Sequence, residues 1–111
     1  MPKYTFMSGT TLYEFDGMED LMSYKQQLNG LKAFWSTFNE GGPHPEATQI
    51  TKGREWIGMA KRFVSQWGVD KVPNYIKLHV QDVEMFLFSR GVILTERLFG
   101  PSPAFYPGEP S

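Results

Sequence analysis

The sequence predicts a single α+β domain: an N-terminal β-hairpin, two or three amphipathic helices, and a late strand that completes a small antiparallel sheet. Aromatic and polar residues alternate over residues 3–15, whereas apolar residues recur at three- and four-residue spacings over residues 18–38 and 45–67. The length of 111 residues fits one domain. We expect that domain to occupy residues 1–100 and to be followed by a proline-rich tail at residues 101–111.

The first fifteen residues carry the hairpin signal. Tyr4 and Phe6 alternate with polar residues, and Leu12-Tyr13-Glu14-Phe15 follows a turn signal at Ser8-Gly9. A two-stranded hairpin is marginally stable by itself in water. We therefore expect residues 92–99, which have a strand-like composition, to join it.

A capping-box pattern predicts the start of the first helix, with Asp16 as the N-cap and Glu19 three positions later. Gly41-Gly42-Pro43 ends the helical pattern, and Gly30 within it suggests close packing. The apolar stripe of this helix comprises Met18, Leu21, Leu28, Leu31, Trp35 and Phe38. Carboxylates cluster around the helix start, where they complement the helix dipole: Glu14, Asp16, Glu19 and Asp20.

The second helix is predicted from Pro45 to Trp67, with Gly68 as its stop. Residues 70–90 fit two descriptions, because their apolar positions alternate like a strand and also form a helical stripe. Length favours a helix and β-branched content favours strands. We predict a helix that ends at Gly91, and the alternative is a β-rich second half.

Composition excludes several classes of function. A formal net charge of −1 provides no general attraction to nucleic acid or to an anionic membrane. The absence of cysteine excludes disulfides, thiolate catalysis and cysteine-ligated metals. The N-terminus has no signal-peptide pattern, and no apolar run approaches the ~18 residues of a spanning helix. We expect a soluble, cytoplasmic protein with no membrane partner and no cofactor.

Two patterns resemble parts of an enzyme site. His44 and Glu46, with the distant His79, have the residue types of a two-histidine, one-carboxylate iron site, but that site normally sits on a larger β-rich fold. His79 also precedes Asp82 by three residues, as a general base and its orienting acid would. No nucleophile is near in sequence, so we interpret His79 as a surface or half-buried histidine.

One segment is both basic and aromatic, and it predicts an alternative role in nucleic-acid binding. Its candidate residues are Lys52, Arg54, Trp56, Lys61 and Arg62. Such a site needs the cations on one face and an aromatic ring exposed for stacking. At helical pitch Arg54 and Lys61 align, whereas Lys52 and Arg62 point elsewhere. A solvated amphipathic face explains the segment better.

The tail is the segment that most suggests recognition. Prolines restrict the unbound chain, so ordering it against a partner costs less entropy, and aromatic residues supply anchors. The candidate interface residues are Phe99, Pro101, Pro103, Phe105, Tyr106 and Pro107. The alternative is that the tail folds back over its own core.

The leading hypothesis is therefore a small non-enzymatic protein that binds another protein, or itself, through exposed aromatics and the tail. Nucleic-acid binding and a metal-assisted enzyme are the alternatives. Four methionines are interpreted as core residues, with an adaptable binding face as the less favoured reading: Met18, Met22, Met59 and Met85.

Overall fold

A computed structural model describes residues 4–38, 45–92 and 97–99. It contains an antiparallel hairpin followed by three α-helices, which confirms the predicted α+β class. The elements in chain order are β1 (Tyr4–Ser8), β2 (Thr11–Phe15), α1 (Met18–Ser36), α2 (Glu46–Trp67), a short 3-10 helix (Val69–Lys71) and α3 (Asn74–Ser89).

The hairpin forms where the aromatic alternation predicts it. Tyr4 pairs with Phe15 and Ser8 with Thr11, so Gly9 and Thr10 make the turn. Of the two turn residues, only Gly9 has a positive φ, 61°, as in a type II′ turn. Glycine adopts that conformation without strain. One face of the hairpin packs on the helices, and the other faces outward.

The boundaries of α1 differ from those expected. The helix begins at Met18, with Gly17 as its N-cap and no side-chain capping hydrogen bond, so the predicted capping box of Asp16 and Glu19 is wrong. The glycine has an extended conformation at the cap. The acidic residues of the first turn, Glu19 and Asp20, stabilise the helix start through their interaction with the helix dipole. The helix ends at Ser36, ahead of the glycine pair.

Helix α2 matches its prediction and contacts both α1 and α3. Pro45 is its N-cap, and Gly68 ends it with a φ of 87°. The side chain of Trp56 is fully buried, and its indole N–H donates to the carbonyl oxygen of Leu31, 2.9 Å away. This hydrogen bond joins α2 to α1 inside the core.

Most of the ambiguous segment 70–90 forms a helix, as predicted: α3 covers Asn74–Ser89, its C-cap is Arg90, and Gly91 follows with a φ of 79°. Residues 93–96, the middle of the expected late strand, lie outside the described residues. Leu98 and Phe99 form a turn, and the sheet that the described residues build contains only β1 and β2.

A buried carboxylate holds the described end of the chain against α3. Glu84 is only 1% exposed and accepts the backbone N–H of Leu98, 3.0 Å away. The ammonium of Lys77 lies 5.9 Å from the ring centre of Phe99, and the guanidinium of Arg97 lies 5.8 Å from that of Phe88. Residues 97–99 therefore run back along α3 toward its N-terminal half.

Tyr24 of α1 joins the hairpin to the helices. Its ring centre lies 4.8 Å from that of Phe15 in β2 and 5.2 Å from that of Phe63 in α2. Its hydroxyl donates to the carbonyl oxygen of Lys71, 2.6 Å away, at the end of the 3-10 helix. One side chain thus connects four elements.

Two of the glycines within helices, Gly30 and Gly53, predict opposite effects of substitution. A Cβ at Gly30 would meet nothing within 4 Å, so close packing does not explain it, whereas a Cβ at Gly53 would lie 3.3 Å from Cγ1 of Val83. We expect Gly30→Ala to raise the free energy of unfolding by up to about 1 kcal/mol. Gly53→Val should lower it by about 1–3 kcal/mol, because its methyl groups would overpack the contact with α3. Urea denaturation measures both, and a shift of both variants in the same direction would contradict this packing.

Candidate interaction surface

The structure places the predicted interface residues in two situations. Phe99 is half-buried and packs against the core, so its ring is partly used within the fold. The other five lie outside the described residues: Pro101, Pro103, Phe105, Tyr106 and Pro107. The interface role of the tail stays a prediction.

Two of the nucleic-acid candidates have structural roles instead. Trp56 is fully buried, so its indole has no exposed face on which a base could stack. The ammonium of Lys52 donates to the carbonyl oxygen of Thr37, 3.1 Å away, and so binds the C-terminal cap of α1. Cations near a helix C-terminus stabilise it through the dipole.

The remaining cations lie along α2. Arg54 and Arg62, eight residues apart, line one groove with Phe34 of α1. Lys61 lines a different groove, beside Val64 and Leu98. Because α2 is one continuous helix, the seven-residue spacing of Arg54 and Lys61 keeps them on the same side, as expected, although they line different grooves. Without an exposed tryptophan, this arrangement gives nucleic-acid binding little support.

The residues considered for an enzyme site do not form a cluster in the part of the chain that the structure describes. His44 lies outside them, and Glu46 forms an ion pair with Arg90. The ring of His79 stacks on Trp35, with centroids 3.9 Å apart and planes 9° apart. No group of three or more His, Asp or Glu side chains suited to a metal ion occurs in the part of the chain that the structure describes.

A groove of about 260 Å³ lies beside this stacked pair, between the three helices. Trp35, Phe38 and Phe86 give it an aromatic lining, and Gln49 and Asp82 are polar groups at it. Among the described residues that line it there is no serine, threonine, lysine or histidine. Its chemistry is that of an apolar recess and does not indicate catalysis.

The exposed apolar side chains are concentrated at the N-terminal end. Of the large hydrophobic residues that are exposed in the described chain, Val69, Leu78 and Phe88 are scattered over other elements. The rest, which we call the N-terminal apolar surface, are Tyr4, Met7, Leu12, Met18 and Met22. Sequence reasoning placed Met18 and Met22 in the core; they are exposed because none of the elements in the described ranges covers their side of α1.

The outer face of the hairpin contributes an apolar pair. Met7 and Leu12 are directly paired across β1 and β2, and they are 62% and 50% exposed. Residues opposite each other in a sheet have neighbouring side chains. The signal for this pair was present in the alternation, since Leu12 alternates with the buried Tyr13 and Phe15 in β2 and Met7 follows Phe6 in β1.

One side of α1 lies next to β1. Met18 and Met22 are one turn apart, and Lys25 follows on the same side of the helix. The ammonium of Lys25 lies 6.0 Å from the ring centre of Phe6 in β1. Phe6 faces α1, whereas its neighbour Met7 points to the outer face, so the exposed methionines of α1 and the exposed pair of the hairpin lie on different sides of the hairpin.

Carboxylates border this surface. Glu14 has the same strand face as Leu12, two residues before it, and Glu19 is one helical turn before Met22. The four exposed carboxylates, which we call the acidic rim, are Glu14, Asp16, Glu19 and Asp20. Within the first 25 residues the only cations on side chains are Lys3 and Lys25. The fold also brings the ammonium of Lys71 to within 5.7 Å of the ring centre of Phe15, so this part of the molecule carries cations as well as carboxylates.

No family model matches this chain, and comparisons with curated proteins and with solved structures find no significant similarity. Among the helices in the described ranges, none combines the length and apolar composition needed to cross a bilayer. We therefore infer function from the chain's own surface.

The stacked histidine predicts a pH dependence of stability. Burial lowers the pKa of His79 below its ordinary 6.5, although Asp82 acts in the opposite direction. The unfolded chain therefore binds more protons between the folded-state pKa and 6.5, so stability falls as the pH drops through that window. We expect the free energy of unfolding to fall from pH 7 to pH 5, and to fall less in His79→Gln. Asp82→Asn should steepen the fall, and parallel profiles for wild type and His79→Gln would contradict the assignment.

Proposed function

We infer that this chain is a non-enzymatic protein-binding protein that recognises a partner through its N-terminal apolar surface. The observation that carries this proposal is the outward-facing pair of Met7 and Leu12, which are directly opposite each other in the hairpin and 62% and 50% exposed. Paired apolar exposure on a folded domain is a feature of interaction sites.

The energetics favour recognition over a structural role for these side chains. Fully burying a leucine or methionine side chain is worth about 1.5–3 kcal/mol, and these residues forgo much of that in the isolated domain. A partner that covered them would recover it. Methionine also adapts its shape to different apolar contacts.

The rest of the fold presents this surface without depending on it. The inner hairpin face, with Tyr13 and Phe15, belongs to the core, whereas Met7 and Leu12 point away from it. The recognition residues are therefore separable from the residues that stabilise the domain. The absence of cysteine suits such a role in a reducing compartment such as the cytoplasm.

A surface double variant tests the proposal. We expect Met7→Ser/Leu12→Thr to keep its helical circular dichroism and to unfold within about 1 kcal/mol of wild type, because surface substitutions have small effects. In affinity capture from the native source with quantitative mass spectrometry, it should lose the proteins that wild type retains.

Leu78→Ser is the matched control, since Leu78 is similarly exposed, at 48%, but lies on α3. It should capture the same proteins as wild type. A chain that ends at Gly100 tests the predicted contribution of the tail separately. If the hairpin variant and the control retain the same set of proteins, the N-terminal apolar surface is not the recognition site.

A further inference from the structure

We propose that the partner contributes an extended segment that adds to the edge of β1 as a third, antiparallel strand, with an apolar residue beside Met7. This inference rests on the proposed function and adds the conformation and the side-chain pattern of the segment that binds. Its basis is the direction of the backbone groups of β1, which the pairing with β2 determines.

The backbone groups of Met7 point away from β2. Ser8 and Thr11 flank the two-residue turn, and the residues at that position exchange backbone hydrogen bonds. Hydrogen-bonded and non-hydrogen-bonded pairs alternate along an antiparallel ladder, so Met7 and Leu12 form a non-hydrogen-bonded pair. The N–H and C=O of Met7, and those of Thr5 two residues before it, therefore face outward from the edge of β1. Among the described residues, none makes a backbone hydrogen bond to them there.

β1 is the outer strand of the hairpin. Phe15 of β2 is buried and contacts Trp67, whereas its partner in β1, Tyr4, is 37% exposed. Thr5 and Met7 also remain exposed. The edge of β1 is therefore accessible to another chain.

The sequence of β1 lacks the features that protect edge strands from pairing. Proteins commonly place a charged residue, a proline or a bulge in such a strand. Tyr4–Ser8 contains no charged residue and no proline, and its register with β2 is continuous. β2, by contrast, carries a carboxylate at Glu14. The edge of β1 is thus suited to the addition of a strand, which is a recurring mode of peptide recognition.

The geometry of the sheet specifies the residue that lies opposite Met7. In an antiparallel addition that residue exchanges both backbone hydrogen bonds with Met7, and its side chain lies on the same outer face. An apolar side chain there extends the pair of Met7 and Leu12 into a row across three strands. Because side chains alternate along a strand, we expect the segment to have apolar residues at alternate positions.

A second copy of β1 fits this edge less well. The two-fold register that pairs all five residues is centred on Phe6, and it places Met7 beside Thr5 of the other copy, a polar neighbour. The register that pairs Met7 with Met7 brings Thr5 opposite Gly9, in the turn. A separate segment can provide both the full pairing and an apolar neighbour.

A random peptide display library, selected against the full chain and followed by an N-methyl scan of an enriched peptide, tests this geometry. We expect enriched peptides to have apolar residues at two-residue spacing. N-methylation should weaken binding about tenfold at alternate positions, where the lost N–H donates to β1. At the positions between them the N–H points away, and the effect should stay within about twofold. Fluorescence anisotropy measures each affinity.

Substitutions of Thr5 test the same contact from the side of the protein. Thr5→Pro removes an N–H at the edge without removing a hydrogen bond of the hairpin, and it should weaken binding about tenfold. Thr5→Val is the matched control, which keeps the N–H and should bind within about twofold of wild type. Circular dichroism and urea denaturation check the fold of both variants. If Thr5→Pro disrupts the hairpin, the N-methyl scan decides.

The remaining outcomes separate this inference from the proposed function. Peptides that depend on Met7 and Leu12 but tolerate N-methylation at every position would overturn strand addition and leave the recognition surface standing. A dimer in sedimentation velocity that Thr5→Pro dissociates would replace the partner segment by a second copy. A library that yields no peptide dependent on Met7 and Leu12 would contradict both proposals.

Discussion

The position of the hairpin depends on Tyr24. Two strands alone are marginally stable in water, and this hairpin packs its aromatic face on Tyr24, with a further contact from Phe15 to Trp67 of α2. The ring of Tyr24 contacts Phe15 and Phe63, and the hydroxyl donates to the carbonyl oxygen of Lys71. Burial raises the pKa of Tyr24 well above its ordinary value, so the hydroxyl remains a hydrogen-bond donor throughout the physiological range.

This constraint also creates the surface to which we assign recognition. Because side chains alternate along a strand, fixing Tyr13 and Phe15 toward the helices fixes Met7 and Leu12 toward solvent. The interaction surface is thus held in place by the core on its reverse side. The hairpin and the other described helices also leave Met18 and Met22, in the first turns of α1, uncovered.

The aromatic richness of the chain is explained largely by its interior. Trp56 bonds to the backbone of α1, and Trp35 stacks with His79. The sequence suggested that rings such as these were left over for a partner or that the histidine belonged to a site. In the fold they fill the space between three helices, and the exposed apolar side chains are mainly methionines and leucines. Residue type alone did not distinguish these uses, because aromatic rings serve cores and interfaces alike.

The sequence by itself determined the α+β class, the hairpin with its glycine turn, and the extent of α2, because local periodicity and the terminating glycines act within a few residues. It also indicated, through alternation along the strands, that Met7 and Leu12 point outward. Only the tertiary structure decided that residues 74–89 are helical, that Met18 and Met22 are exposed, and that Trp56 is buried. Periodicity shows which side of an element is apolar, but which apolar side chains stay uncovered depends on contacts between residues distant in the chain.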